Sequence, residues 1–164
     1  MYMRKNNFII GIFLTLTLIG CKSNMTTVQA TENIPYFTFT SLDNTRFTQD
    51  NFDKSRTKFI MYFNSECDHC QKQASWLAQD IDAFKDFEIT FISYEEMDAI
   101  KAFRNKYNFK RDNITFVQDS RLTFSDKFGV ETFPSILFYS KDGKLIKKFE
   151  GETKVQEILE HITP

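Results

Sequence analysis

Residues 58–63, KFIMYF, form an unbroken apolar run of strand length, and two cysteines, Cys67 and Cys70, follow before the pattern turns helical. A strand that is apolar at nearly every position has both faces buried, as in a parallel sheet with helices above and below. The flanking segments agree. Tyr36 to Thr40 alternates, Asp43-Asn44 supplies turn residues and Phe47 resumes an apolar face, which predicts an N-terminal hairpin. Beyond the cysteines, Ala74, Leu77, Ile81 and Phe84 recur at helical spacing, with Trp76 close by. Phe87 to Ser93 reads as a strand, and Glu95 to Tyr107 as a helix with Ile100, Phe103 and Tyr107 on one side. ITFVQD is a further strand, RLTFSDKFGV a short helix closed by Gly129, and SILFYSKDGKLIKKFEG a hairpin about Asp142-Gly143. Val155 to Ile162 closes the pattern as an amphipathic helix. The order β-β-β-α-β-α-β-α-β-β-α predicts an α/β fold: a mostly parallel central sheet, covered by helices, with antiparallel edges.

The two cysteines fall where the buried strand gives way to a helix. Near the N-cap, the Cys67 sulfur faces unpaired backbone N–H groups and the positive end of the helix dipole, which stabilise a thiolate. Cys70 lies one turn on, nearly on the same face, so the pair can close an intramolecular disulfide and resolve a mixed disulfide quickly. His69 adds a positive charge beside Cys67 when protonated, while Glu66 and Asp68 oppose it. Other uses fit less well. Zinc usually takes four ligands, CxxC supplies two, the only histidine outside the motif is His161, and no further cysteine lies in the domain. A structural disulfide across three residues closes too small a loop to stabilise much. Redox chemistry is the expectation, and no metal site is assigned.

Composition narrows the partners. The chain has 164 residues, which suits one domain, and a net charge of −1, which gives no footprint for nucleic acid. Nineteen Phe, six Tyr and one Trp supply bulky core material, so the domain has no need of disulfide staples. The start of the chain is different. Arg4 and Lys5 precede FIIGIFLTLTLI, residues 8–19, whose twelve residues reach only about 18 Å as a helix, short of the ~30 Å hydrocarbon core. A basic start, a short apolar run and small residues at its end describe an export signal. Leu18-Ile19-Gly20-Cys21 resembles the lipobox of bacterial lipoproteins, which implies cleavage before Cys21 and lipidation of that cysteine. Residues 1–20 are thus expected to be a lipoprotein signal peptide, 21–33 the lipidated Cys21 with a polar flexible tether, and 34–164 the folded domain.

Within that domain, Gly129-Val130-Glu131-Thr132-Phe133-Pro134-Ser135 places a proline at the entrance to a strand, where proline is otherwise disfavoured. Together with CxxC at a strand-to-helix junction, this resembles the thioredoxin superfamily, and most closely the exported TlpA/ResA-type thiol-disulfide oxidoreductases. The resemblance covers Ile34 to about His161. It implies a thioredoxin-like fold, a central mixed sheet flanked by helices with an extra N-terminal hairpin. It implies a cis Phe133–Pro134 bond, with Thr132, Phe133 and Pro134 forming a substrate groove against the dithiol, and Glu66, Asp68 and His69 setting the dithiol's surroundings. Cys67 and Cys70 would be the catalytic pair, with no cofactor beyond their disulfide. Partners would be exported protein thiols and disulfides, and a membrane-embedded electron donor or acceptor. The location would be the cell envelope, with the chain lipid-anchored to a bacterial membrane and facing the periplasm or exterior.

The chain also departs from those families. Glu66 stands where thioredoxins usually have Trp, Met61 where thioredoxin has a buried Asp, and Gln73 where many TlpA/ResA-type proteins have Glu. Both familiar proton acceptors for the second thiol are missing, which leaves His69, Glu66 or water. Asp68-His69 departs from the common Glu-Pro. A peroxiredoxin, a neighbouring possibility with a similar core, fits less well, because Asn64 occupies the place of the Thr in PxxxTxxC and no Pro stands ahead of it in the strand. The competing class is a thioredoxin-like binding or metal-carrying module with an incidental dithiol.

Overall fold

The computed structural model describes residues 30–162. The expected signal peptide and the lipidation site at Cys21 lie outside them. The elements run β1 Phe39–Ser41, β2 Arg46–Phe47, β3 Lys58–Tyr62, α1 Asp68–Gln79, β4 Glu88–Ser93, α2 Met97–Lys106, β5 Ile114–Gln118, α3 Phe124–Phe128, β6 Ser135–Tyr139, β7 Leu145–Glu150 and α4 Val155–Ile162. The strands form one sheet in the order β2-β1-β5-β4-β3-β6-β7. β3, β4 and β5 are mutually parallel, while β1, β2, β6 and β7 pair antiparallel. β3 is therefore an interior strand, paired between β4 and β6, and every one of its residues is buried.

Alternation along β3 divides the core. Phe59 and Met61, with Phe63 just beyond the strand, face the layer made by α1, α2 and α4. Ile60 and Tyr62 face the opposite layer, where α3 meets Phe37, Phe39, Phe47 and Phe52 from the N-terminal hairpin region. The second layer is rich in aromatic rings: Phe124 stacks on Phe128 at 4.2 Å and on Tyr62 at 4.4 Å. An amphipathic stripe alone would leave the short α3 marginal, and burial of these rings is what holds it.

Two boundaries differ from the sequence reading. The helix expected to continue through Phe84 ends at Gln79. Asp80 leaves the helical region (φ −114, ψ 21), and Ile81–Phe84 forms a separate 3-10 turn. The tighter turn still delivers Ile81 and Phe84 to the core while the chain swings toward β4. Before Ile34, Glu32 accepts the Leu145 amide (2.8 Å) and Asn33 bridges to Lys144, so these residues lie beside the β6–β7 turn. Gly129 closes α3 in the left-handed region at φ 62, the conformation expected of that C-cap.

Candidate active site: a dithiol at the head of the first helix

The chain leaves β3 through Phe63, which is fully buried, stacks on Phe103 at 4.3 Å and meets Phe91 and Phe116 edge-on. Its amide continues the sheet by donating to the Ile92 carbonyl (3.0 Å). The next three residues form a loop held at several points. The Asn64 side-chain amide donates to the Tyr94 hydroxyl (2.9 Å), and the Asn64 Oδ1 accepts the Glu66 amide (2.9 Å). The Ser65 amide and hydroxyl both donate to the Glu95 carboxylate, each at 2.6 Å. The Ser65 carbonyl accepts the Gln71 side chain (2.9 Å), tying the loop to α1.

This loop sets Cys67 as the N-cap of α1, in extended backbone (φ −77, ψ 119), and the Cys67 carbonyl accepts the Gln71 amide (3.0 Å). Cys67 is half-buried and Cys70 fully buried, and both are free thiols. Burial pushes the Cys70 thiol far above the ordinary thiol range. The Asn64 backbone amide opposes that shift, while Cys67 and the Glu95 carboxylate reinforce it. The pair is therefore unequal: one sulfur is open to a partner at a helix N-terminus, and the other is hidden and hard to ionise.

The other expected site residues are placed around it. Glu66, Asp68 and His69 are exposed on the loop and first turn. His69 Nδ1 pairs with Glu152 in the β7–α4 connection, and Lys72 Nζ reaches the same carboxylate at 2.5 Å. The Lys72 contact and then the His69 contact hold Glu152 below the usual carboxylate range. Phe133–Pro134 is cis. The Phe133 ring packs on Tyr62 at 4.7 Å and on Tyr94 at 5.9 Å, and the Thr132 carbonyl accepts the Ser135 hydroxyl (2.7 Å). An open cavity of about 390 Å³ is lined by His69, Thr132, Phe133, Glu150, Gly151 and Glu152, so it runs between the head of α1 and the Pro134 loop.

The two departures from the familiar pattern take structural places. Met61 is fully buried in the layer beneath α1. Gln73 is fully buried one turn beyond Cys70, where its Oε1 accepts the Thr153 amide (2.7 Å) and its Nε2 has no partner among the described residues. The sequence reading missed Glu95, Tyr94 and Glu152. A usable signal existed for the first two, since they lie just past the C-terminal end of a parallel strand, where open α/β sheets place their sites. Glu152 carried none. Among the described residues, no group of three or more His, Cys, Asp or Glu could hold a metal ion, and no helix is long and apolar enough to cross a membrane.

With this geometry in place, comparison with known proteins gives the class. The family described as a thioredoxin-like domain matches residues 48–163, and the chain belongs to it. The more particular resemblance holds as well: this is a TlpA/ResA-like member, of the thiol-disulfide oxidoreductase type. A curated relative, the thiol-disulfide oxidoreductase ResA of Bacillus cereus, is 22% identical over 177 residues, covering 99% of this chain and 100% of the relative. Among solved structures, a secreted Mycobacterium tuberculosis disulfide oxidoreductase homologous to E. coli DsbE superposes with a TM-score of 0.61 at 22% identity, over 72% of this chain and 85% of the other. The exposed lipoprotein thioredoxin Etrx1 of Streptococcus pneumoniae superposes with a TM-score of 0.58 at 18% identity, over 76% and 96%.

Proposed function

We propose that this chain is an exported, lipid-anchored oxidoreductase that exchanges disulfides with other exported proteins through Cys67 and Cys70. The observation that carries the reading is the unequal pair: a half-exposed Cys67 at the N-cap of α1 and a buried Cys70 one turn on, with His69 between them facing a cavity shared with Thr132 and Phe133. In the reducing direction the Cys67 thiolate attacks a substrate disulfide, one substrate sulfur leaves as a thiolate, and a mixed disulfide remains. Cys70, once deprotonated, attacks the Cys67 sulfur. The Cys67–Cys70 bond forms, the bond to substrate breaks, and two electrons have passed to the substrate. The oxidising direction is the reverse. No cofactor beyond the dithiol is needed.

Pro134 and its neighbours Thr132 and Phe133 shape the substrate groove in this reading, supported by the cavity that Thr132 and Phe133 share with His69. Export has the support of the secreted M. tuberculosis and lipoprotein S. pneumoniae neighbours, and of the segment ending in Cys21. A membrane-embedded partner would restore the redox state of the dithiol. Insulin reduction or reactivation of scrambled ribonuclease, compared between wild type and Cys67→Ser, tests the chemistry, and equal rates in the two would refute it. For the anchor, the intact mass of protein from the membrane fraction is expected to show acylation at Cys21. An unmodified, free amino terminus there would contradict it.

A further inference from the structure

Glu95 stands in the connection between β4 and α2, and its side chain is turned to the dithiol loop. The carboxylate accepts both donors of Ser65, two residues ahead of Cys67, and a third bond from the Ser93 hydroxyl at the end of β4 (2.9 Å). The Glu95 amide in turn donates to that hydroxyl (3.2 Å), and its carbonyl accepts the Gln118 side chain from β5 (2.9 Å). Five bonds thus fix one half-buried acid between two parallel strands and the redox loop, and none of its partners is cationic. Hydroxyls and an amide hold the charge in place without neutralising it.

We propose that Glu95 is a positioning residue of the dithiol: it clamps the loop leading into Cys67 onto the end of β4, and its fixed negative charge restrains Cys70 as the resolving thiol. The inference rests on the exchange reading above. Before Cys70 can attack the mixed disulfide it must lose its proton. The Glu95 carboxylate, bonded to Ser65 next to the Asn64 amide that faces the Cys70 sulfur, opposes the thiolate that results, in the same direction as burial. The other charged or titratable groups around the pair are accounted for. Glu66, Asp68 and His69 are exposed, with His69 engaged by Glu152, and Lys72 reaches the same acid. The Tyr94 hydroxyl accepts from Asn64, and Lys106 of α2 is held on the Gln71 side chain (3.1 Å).

The test is a two-phase reaction of the reduced full chain with a stoichiometric aromatic disulfide, dithionitrobenzoate, from pH 6 to 9. The first coloured thiolate reports attack by Cys67 and the second reports closure by Cys70. Glu95→Gln keeps an acceptor for Ser65 and removes the charge. Its second phase is expected to run about 3- to 10-fold faster at pH 7, with the pH profile displaced to lower pH and the first phase changed far less. A second-phase profile that coincides with wild type, or moves to higher pH as loss of a proton acceptor would make it, overturns the proposal. Should Glu95→Gln fail to fold, Ser65→Ala carries the test. It keeps the charge but removes one tether, so the first phase slows about 3-fold while the second-phase profile stays in place. An unchanged first phase there overturns the clamp. A wild type that never releases a second thiolate refutes the exchange reading itself, so the two failures are told apart.

Discussion

Gln73 offers a measurement whose size follows from its surroundings. It is fully buried one turn beyond Cys70, with one acceptor used by Thr153 and one donor unpartnered. Gln73→Glu keeps the side-chain shape and the acceptor for the Thr153 amide, and deletes the orphaned donor, which returns about 1 kcal/mol. It also places a carboxyl at a fully buried position of α1, on the helix that buries Cys70, Ala74 and Leu77. Burial of that kind raises a carboxyl by about 3 units, from about 4.3 to about 7. At pH 7.5 the folded chain must then either carry a buried charge or hold a proton that the unfolded chain has lost, at a cost of roughly 3 to 4 kcal/mol. Net destabilisation is therefore about 2 to 3 kcal/mol near neutrality.

The sign of the pH dependence follows from linkage. A group whose folded value is raised contributes fully below its unfolded value, here about pH 4.3, and that stability is lost as pH rises through the folded value. The deficit of Gln73→Glu against wild type should be near zero or reversed at pH 4.5 and should open by about 1.4 kcal/mol per unit up to about pH 7. Urea unfolding of both reduced proteins at pH 4.5, 6.0 and 7.5 measures it directly. A deficit that is the same at all three values, or absent at pH 7.5, would refute the premise that this position is sealed from water.

Two further outcomes rest on the same geometry. Phe63→Ala removes a fully buried ring that stacks on Phe103 and meets Phe91 and Phe116, so unfolding free energy should fall by about 3 to 5 kcal/mol with an unchanged denaturant slope, and a loss under about 1.5 would show that the layer collapses to fill the space. Cys70 and Tyr62 both have folded values raised by burial, Tyr62 to about 12, so the reduced domain should hold its stability up to about pH 8.5 and lose it as pH climbs through the alkaline range. Cys70→Ala should flatten the first part of that loss in a pH series of thermal unfolding, and identical alkaline slopes in the two proteins would contradict the assignment.

Sequence alone determined the order of elements and the place of the dithiol. KFIMYF can be satisfied only by burial on both faces, Gly129 marks a helix end by its freedom to adopt positive φ, and a CxxC at a strand-to-helix junction falls at a helix N-terminus whatever surrounds it. These are local signals, set by side-chain periodicity and backbone sterics over a few residues. The break at Asp80 was less legible, because a helix and a helix followed by a 3-10 turn present the same apolar positions to the sheet.

What only the tertiary structure decided is which distant groups meet the two sulfurs. His69 reads as a neighbour of Cys67, yet Glu152, 83 residues away, engages its ring. Gln73 reads as a missing base, yet it serves the Thr153 amide across the fold. Glu95 reads as one acid in a charged helix start, yet the parallel register of β3 and β4 brings it onto Ser65. Periodicity specifies the face a residue occupies, whereas electrostatics depends on distance through space, and here that distance is set by strand register and loop path.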